Sequence, residues 1–150
     1  MDKTRPKPGV GVLVVKDYEY ILMGKRSDCG MYGMPGGYLE KYEEFEEAAS
    51  REVKEEVDLD IPPKDFKVVC IFNAVEKSHD YHNVAIILAG KYIEGQEVIN
   101  KEPEKCAGWE WWKIADLEKR TAEIFWPNHQ FIREYKALAT QEYLKQLLGQ

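Results

Sequence analysis

Hydrophobic positions change period several times along the chain, and each change marks a predicted element. Val10 to Lys16 is an apolar, β-branched run and Tyr20 to Lys25 is a second, with Lys16 to Glu19 reading as the hairpin connection between them. Ser27 to Met34, which contains Gly30 and Gly33, reads as a loop ending at Pro35-Gly36-Gly37. From Glu43 to Val57 the period becomes helical, and Phe45, Ala49, Val53 and Val57 form an i,i+4 stripe suited to a core. Ile61-Pro62-Pro63 stops that helix. Phe66 to Val75 and Val84 to Tyr92 read as two long strands joined by a loop at Ser78 to His82. Trp109 to Trp112 is a short aromatic strand in which Trp109 and Trp111 share one face and Trp112 takes the other. Ile114 to Lys119 reads as a helical turn. Asn128 to Leu148 is amphipathic, with Phe131, Ile132, Tyr135, Leu138, Leu144 and Leu147 at helical spacing, Asn128 as the expected N-cap and a break expected near Thr140. Strands and helices mixed in this order predict an α/β domain with a sheet covered by helices on both faces.

No repeat or low-complexity tract divides the 150 residues, so one domain over residues 1–150 is expected, with Met1 to Pro8 as a loose polar leader. The net charge of −6 argues against a general binder of nucleic-acid polymers or membrane surfaces, which carries a basic patch. It is compatible with a nucleotide substrate, because bound metal ions neutralise phosphates locally. Three cysteines, Cys29, Cys70 and Cys106, are an odd number without metal-type spacing and read as free thiols in a reducing compartment. The N-terminal residues lack the apolar core of a signal peptide and no apolar run reaches membrane-spanning length, so a cytoplasmic location is expected.

The chemistry concentrates between Gly36 and Leu59. Glu52, Glu55 and Glu56 fall within an arc of roughly 100° on the predicted helix. Like charges at this spacing repel and weaken a helix. A divalent cation reverses that penalty, and carboxylate oxygens suit Mg²⁺ or Mn²⁺. Glu52 and Glu56, one turn apart, are the leading metal ligands. Glu55 is the third acid, either as a further ligand or as the base that orients water.

The stretch GGYLEKYEEFEEAASREVKEEVDL resembles the Nudix box, G-x5-E-x7-R-E-U-x-E-E-x-G-U, where U is an apolar aliphatic residue. Gly37 stands at the glycine, Glu43 at the first glutamate, Arg51-Glu52-Val53 at the REU, Glu55-Glu56 at the paired acids and Leu59 at the last apolar position. Asp58 stands where the family has glycine, and Tyr42 where many members have glycine. The resemblance covers nearly the whole domain and implies an α/β/α sandwich around a mixed sheet. It also implies Mg²⁺ as cofactor, with Mn²⁺ as a substitute, and hydrolysis of a phosphoanhydride bond in a nucleoside diphosphate linked to another group. In the family the carbonyl matching Gly37 coordinates metal. Glu43 and Arg51 take supporting roles, an Arg–carboxylate pair holding a ligand rotamer; outside this motif Arg51 would read as a surface ion pair of little worth.

Outside the box, Glu102 and Glu104 are the alternative bases, each with an exposed acidic loop as the plainer reading. PGVGVLVV followed by ILMGKR, and EPEKCAGWEWW with IFWP downstream, are similar to the small MutT-like pyrophosphatases acting on normal and oxidised nucleotides such as 8-oxo-dGTP. This implies cleavage of nucleoside triphosphates to monophosphate and pyrophosphate. Arg26 then reaches phosphate or is a solvated strand end. Phe125 and Trp126 match base-contacting aromatics, with core packing of Trp126 as the alternative. His79, His82 and His129 lack ligand spacing and read as structural or surface residues. The rival readings are another diphosphate (NADH, ADP-ribose, a dinucleoside polyphosphate or an isoprenyl diphosphate) and a non-catalytic nucleotide-binding module. A homodimer is compatible with the resemblance, although no segment reads as an interface.

Overall fold

The computed structural model describes residues 4–149, so the first three residues of the expected leader lie outside the described residues. The elements run β1 (Lys7–Lys16), β2 (Tyr20–Arg26), β3 (Tyr32–Gly33), β4 (Gly36–Tyr38), α1 (Phe45–Val57), β5 (Phe66–Glu76), β6 (Tyr81–Lys91), β7 (Cys106–Lys113), α2 (Trp126–Glu134) and α3 (Gln141–Leu148), with short 3-10 turns between several of them. β1 begins inside the stretch expected as leader because Lys7 and Pro8 already pair with Asn83 and Val84 of β6.

β1 is the centre of the sheet. It runs parallel to β6 from Lys7 to Val15, and β6 in turn is antiparallel to β5. Its other edge is shared by two strands: β4 pairs with Gly9 to Gly11, and β2 only with Val15 and Lys16. From there β2 leaves β1 and pairs with β7 and, near its end, with β3. One mixed sheet results.

Val12, Leu13, Val14 and Val15 are all 0 % exposed, which explains a continuous apolar run rather than an alternating one. Alternate side chains leave the strand on opposite faces. Val10, Val12 and Val14 pack with Ala49, Val53 and Val57 of α1, while Leu13 and Val15 pack with Phe131 and Ile132 of α2 and Leu144 of α3. The fold is therefore an α/β/α sandwich. Burial of each such aliphatic side chain contributes about 1.5–3 kcal/mol.

Four expectations change. The stretch read as a loop from Ser27 to Gly37 contains one short strand, β3, and most of a second, β4, because its backbone pairs with β2 over two residues and with β1 over three. β6 starts at Tyr81 rather than Val84, because a single 3-10 turn at Lys77–His79 suffices to close the β5–β6 hairpin. β7 extends from Cys106 to Lys113, with Trp109 and Trp111 against one core and Trp112 buried in the other. Asn128 is not an N-cap: α2 starts at Trp126, Pro127 occupies its first turn, where a fixed φ suits a helix start, and Asn128 lies inside. The expected break does fall at Thr140, whose hydroxyl accepts the N–H of Tyr143 at 3.1 Å and so caps α3. No helix among the described residues is long and apolar enough to cross a membrane.

Candidate active site

β4 and α1 place the acids. The backbone of β4 alternates its hydrogen bonds: Pro35 O accepts from Val12 at 2.8 Å and Leu39 N–H donates to Pro8 O at 3.1 Å, with Gly37 opposite Val10 between them. Odd-numbered residues therefore face β1, and Gly36 and Tyr38 face away from it. Gly36 N–H reaches Glu56 Oε1 at 3.4 Å, and Tyr38 O accepts from Arg51 Nη2 at 3.1 Å. This corrects the assignment of a metal-facing carbonyl to Gly37, whose carbonyl is turned into the ladder; Gly36 presents its backbone on the acid side. Gly37 matters through its missing side chain, since a Cβ there would stand 2.3 Å from Glu52 Oε1.

Arg51 organises the helix face. Its Nε and Nη2 fork onto Glu43 at 2.6 and 2.9 Å, and Nη1 holds Glu52 at 2.8 Å and Glu55 at 3.3 Å. The hydrogen bond to Arg51 pulls the Glu43 carboxyl below its usual range, and the same bond raises the guanidinium of Arg51. Glu43 and Glu52 are largely enclosed, with side chains 12 % exposed, whereas Glu55 is 53 % exposed. A charged fork of this kind is stronger than a surface ion pair.

Glu56 is the electrostatic anomaly. Burial, followed by the charge of Glu52 and a hydrogen bond with it, pushes its carboxyl up to about 9, and the charge of Glu102 adds to the effect. Glu102 arrives there because Ile99 and Lys101 N–H groups bond to the carbonyls of Val57 and Glu56, laying the segment along the end of α1. Lys105 Nζ holds Glu102 at 3.2 Å. Glu104 is exposed, and its charge is felt at Lys105 rather than at the acid pair. Of the two acids considered outside the helix, only Glu102 is brought to the cluster.

Among the described residues no three carboxylate, imidazole or thiol groups gather into a closed metal cage. The arrangement is more open: two carboxylates in contact, Glu52 and Glu56, beside the backbone of Gly36. Two acids in contact need a shared proton or a cation between them. Hard oxygen donors that leave positions for water and phosphate suit Mg²⁺, so the residues fit such an ion.

A second group of residues is aromatic. The Arg26 guanidinium lies 4.1 Å from the ring centre of Phe125 and is forked onto Asp28 at 3.1 and 2.8 Å, which lowers the Asp28 carboxyl to about 2. Trp126 is half-buried against the core and meets the edge of Tyr81 at 4.8 Å and 77°. Tyr81, raised chiefly by burial, also feels the charges of Tyr38 and Arg26, so it stands between β4 and the Phe125–Trp126 corner. Sequence reasoning missed Tyr81. It fell in the stretch read as the Ser78 to His82 loop, where a single aromatic carries no periodic signal. Asn128, read as a cap, instead accepts the N–H of Met34 at 2.9 Å.

His79 and His82 stay outside both groups, exposed on the hairpin with His82 Nε2 3.4 Å from Asn73 Oδ1, whereas His129 lies in α2 next to Asn128, its N–H bonded to Phe125 O at 2.9 Å. Tyr42 adopts φ 69° and is 91 % exposed, and Asp58 adopts φ 60° at the end of α1, so both take the left-handed backbone of the glycines they replace. A separate cavity of 440 Å³, lined by Ile114, Leu117, Ile132 and Ala139, shares no residue with the acids or the aromatic corner.

Comparison with known proteins bears on the family and the fold. The model of the NUDIX domain family matches residues 5–135. An ADP-ribose pyrophosphatase of Methanocaldococcus jannaschii is 28 % identical over 93 residues, 61 % of this chain and 54 % of the relative, so the chain spans about half the length of that protein. A MutT NUDIX hydrolase from Burkholderia pseudomallei superposes with a TM-score of 0.66 at 26 % identity, over 74 % of this chain and 85 % of that one. The Ap4A hydrolase of C. elegans shares the fold, with a TM-score of 0.62 at 15 % identity over 89 % of this chain and 98 % of that one. With the family match spanning most of its length and a mixed sheet beneath the Arg51-centred acids on α1, the chain belongs to the NUDIX domain family.

Proposed function

We propose that this protein is a Mg²⁺-dependent pyrophosphatase of nucleoside triphosphates, normal or oxidised, releasing nucleoside monophosphate and pyrophosphate. The observation that carries the reading is the pairing of two dissimilar surfaces. The acid pair Glu52–Glu56 meets Gly36 at one end of the span Gly33–Gly37, and the Phe125–Trp126 corner meets Gly33 at the other. Phosphates belong at the first end and a base at the second.

Glu52, Glu56 and the backbone of Gly36 would hold the cation, which would supply charge neutralisation at the phosphoryl oxygens. Phosphoryl transfer asks little covalent work of the protein, so positioning dominates. Arg51 fixes the Glu52 rotamer and is itself anchored by Glu43. Glu55, more exposed than its neighbours and 3.3 Å from Arg51, takes the proton of the attacking water, with Glu102 as the alternative base. Arg26 is committed to Asp28 and to the face of Phe125, so it shapes the base pocket rather than reaching for phosphate.

The second reading is an ADP-ribose or dinucleoside polyphosphate hydrolase, supported by the names of two of the relatives. Release of pyrophosphate and phosphate from dGTP, 8-oxo-dGTP, dCTP, ADP-ribose and NADH, with Mg²⁺ and with chelator, decides between them. Pyrophosphate from triphosphates, abolished by chelator, is the expected result. Turnover of ADP-ribose alone overturns the substrate and keeps the metal site.

A further inference from the structure

Asn128 sits beside the aromatic corner and links it to the backbone span that meets the acids. It sits in α2 two residues after Trp126, and its Oδ1 accepts the N–H of Met34 at 2.9 Å across 94 positions of sequence. The contact is close: a Cβ on Gly33 would lie 2.8 Å from the same oxygen and would press on the Asn128 side chain. Beside it, Phe125 N–H donates to Tyr32 O at 2.8 Å and Ile124 bridges to Tyr32, so the entry of α2 is docked on β3. At the far end of the same span, Pro35 O takes the N–H of Val12, Gly36 N–H meets Glu56, and Gly37 leaves room for Glu52. β4 itself pairs with β1 through only Gly36, Gly37 and Tyr38. So short a strand owes its register to what holds the chain on either side of it.

We propose that Asn128 is a positioning residue: by fixing Met34 it sets the register of Gly33–Gly37, and so couples occupancy of the Phe125–Trp126 corner to cation affinity at Gly36, Glu52 and Glu56. A part-buried N–H left without an acceptor must move to find one. A five-residue span tethered at both ends passes that movement to the acids, because extended chain has little slack. Coupling between two binding events is reciprocal: what a base does to cation affinity, the cation does to base affinity. The coupling half rests on the nucleotide reading above; the positioning half stands without it.

The test is Mn²⁺ titration of nucleotide-free protein, with free Mn²⁺ read by electron paramagnetic resonance and folding checked by thermal unfolding. Asn128→Leu removes the acceptor at similar volume, and Asn128→Asp keeps an oxygen acceptor for Met34. Gly33→Ala drives a Cβ onto the same contact from the other side and serves should Asn128→Leu fail to fold. Mn²⁺ affinity is expected to fall about tenfold in Asn128→Leu and Gly33→Ala, and to return to near the native value in Asn128→Asp. Unchanged affinity in folded Asn128→Leu or Gly33→Ala overturns the positioning role. Deoxyguanosine, which has no phosphate to touch the cation, is then titrated with and without Mn²⁺. Native protein should show a shift of about fivefold, absent in Asn128→Leu. An equal shift in the variant overturns the coupling. Native protein that binds Mn²⁺ but no nucleoside overturns the base-pocket reading instead, and the Mn²⁺ arm still decides for Asn128.

Discussion

The acid face and the aromatic corner are built in opposite ways. Glu43, Arg51, Glu52, Glu55 and Glu56 come from one helix and its approach, and the guanidinium of Arg51 touches three of the four acids. Arg26, Tyr81, Phe125 and Asn128 come from the end of β2, the start of β6 and the entry of α2, and meet only because the sheet folds them together. The first is a local device, dominated by charge in a partly enclosed setting. The second is a long-range one, dominated by ring faces and one backbone bond. The difference predicts that damage to the acids removes turnover outright, whereas damage to the corner alters which substrate is held and how tightly.

The largest expected effect belongs to the acids. Glu52→Gln or Glu56→Gln should lower kcat by about 10³-fold in a pyrophosphate-release assay, because each removes a fixed charge from the cation site. Retention of most activity in both would erase the contrast between the two regions. Next comes Arg51→Lys, which keeps the charge but loses the fork onto Glu43 and the arm to Glu52. A loss of about 10–100-fold in kcat with weaker Mn²⁺ binding is expected; a change confined to KM would move Arg51 into substrate binding.

Phe125→Ala should raise KM by about tenfold with kcat little changed, in line with the value of one base–aromatic stack. A kcat effect without a KM effect would show that the corner serves the chemistry rather than the base. The smallest effect is on stability. Glu56 titrates near 9 in the folded protein against an ordinary value of 4.5, so between those values the folded state holds a proton that the unfolded chain has released. Stability of the chelated protein therefore falls as pH climbs from about 5 to about 9. Thermal scans in chelator should show Tm falling across this range, and Glu56→Gln should flatten the slope.

Much of the fold was readable because neighbouring side chains report their own environment. The unbroken apolar run at Val12 to Val15 marked a strand buried on both faces, and the stripe Ala49, Val53, Val57 marked the helix face against it. What escaped was set by partners far along the chain. Asn128 looked like a cap because Asn after Pro commonly is one, yet its oxygen is taken by Met34. The carbonyl facing the acids was misassigned by one residue, since only the register of β4 against β1 tells Gly36 from Gly37. Glu102 and Glu104 were indistinguishable until the bonds from Ile99 and Lys101 to α1 placed one and not the other at Glu56.

The sequence by itself determined the long strands and helices and the helix that carries the acids, and its box carried the resemblance to the family. All three follow from periodicity and fixed spacing within one element, where backbone geometry dictates which residues share a face. The tertiary structure decided which backbone group meets those acids, which outside acid joins them, and that Tyr81 and Asn128 belong beside Phe125 and Trp126. Those contacts depend on strand register and on the docking of distant segments, and neither leaves a local period to read.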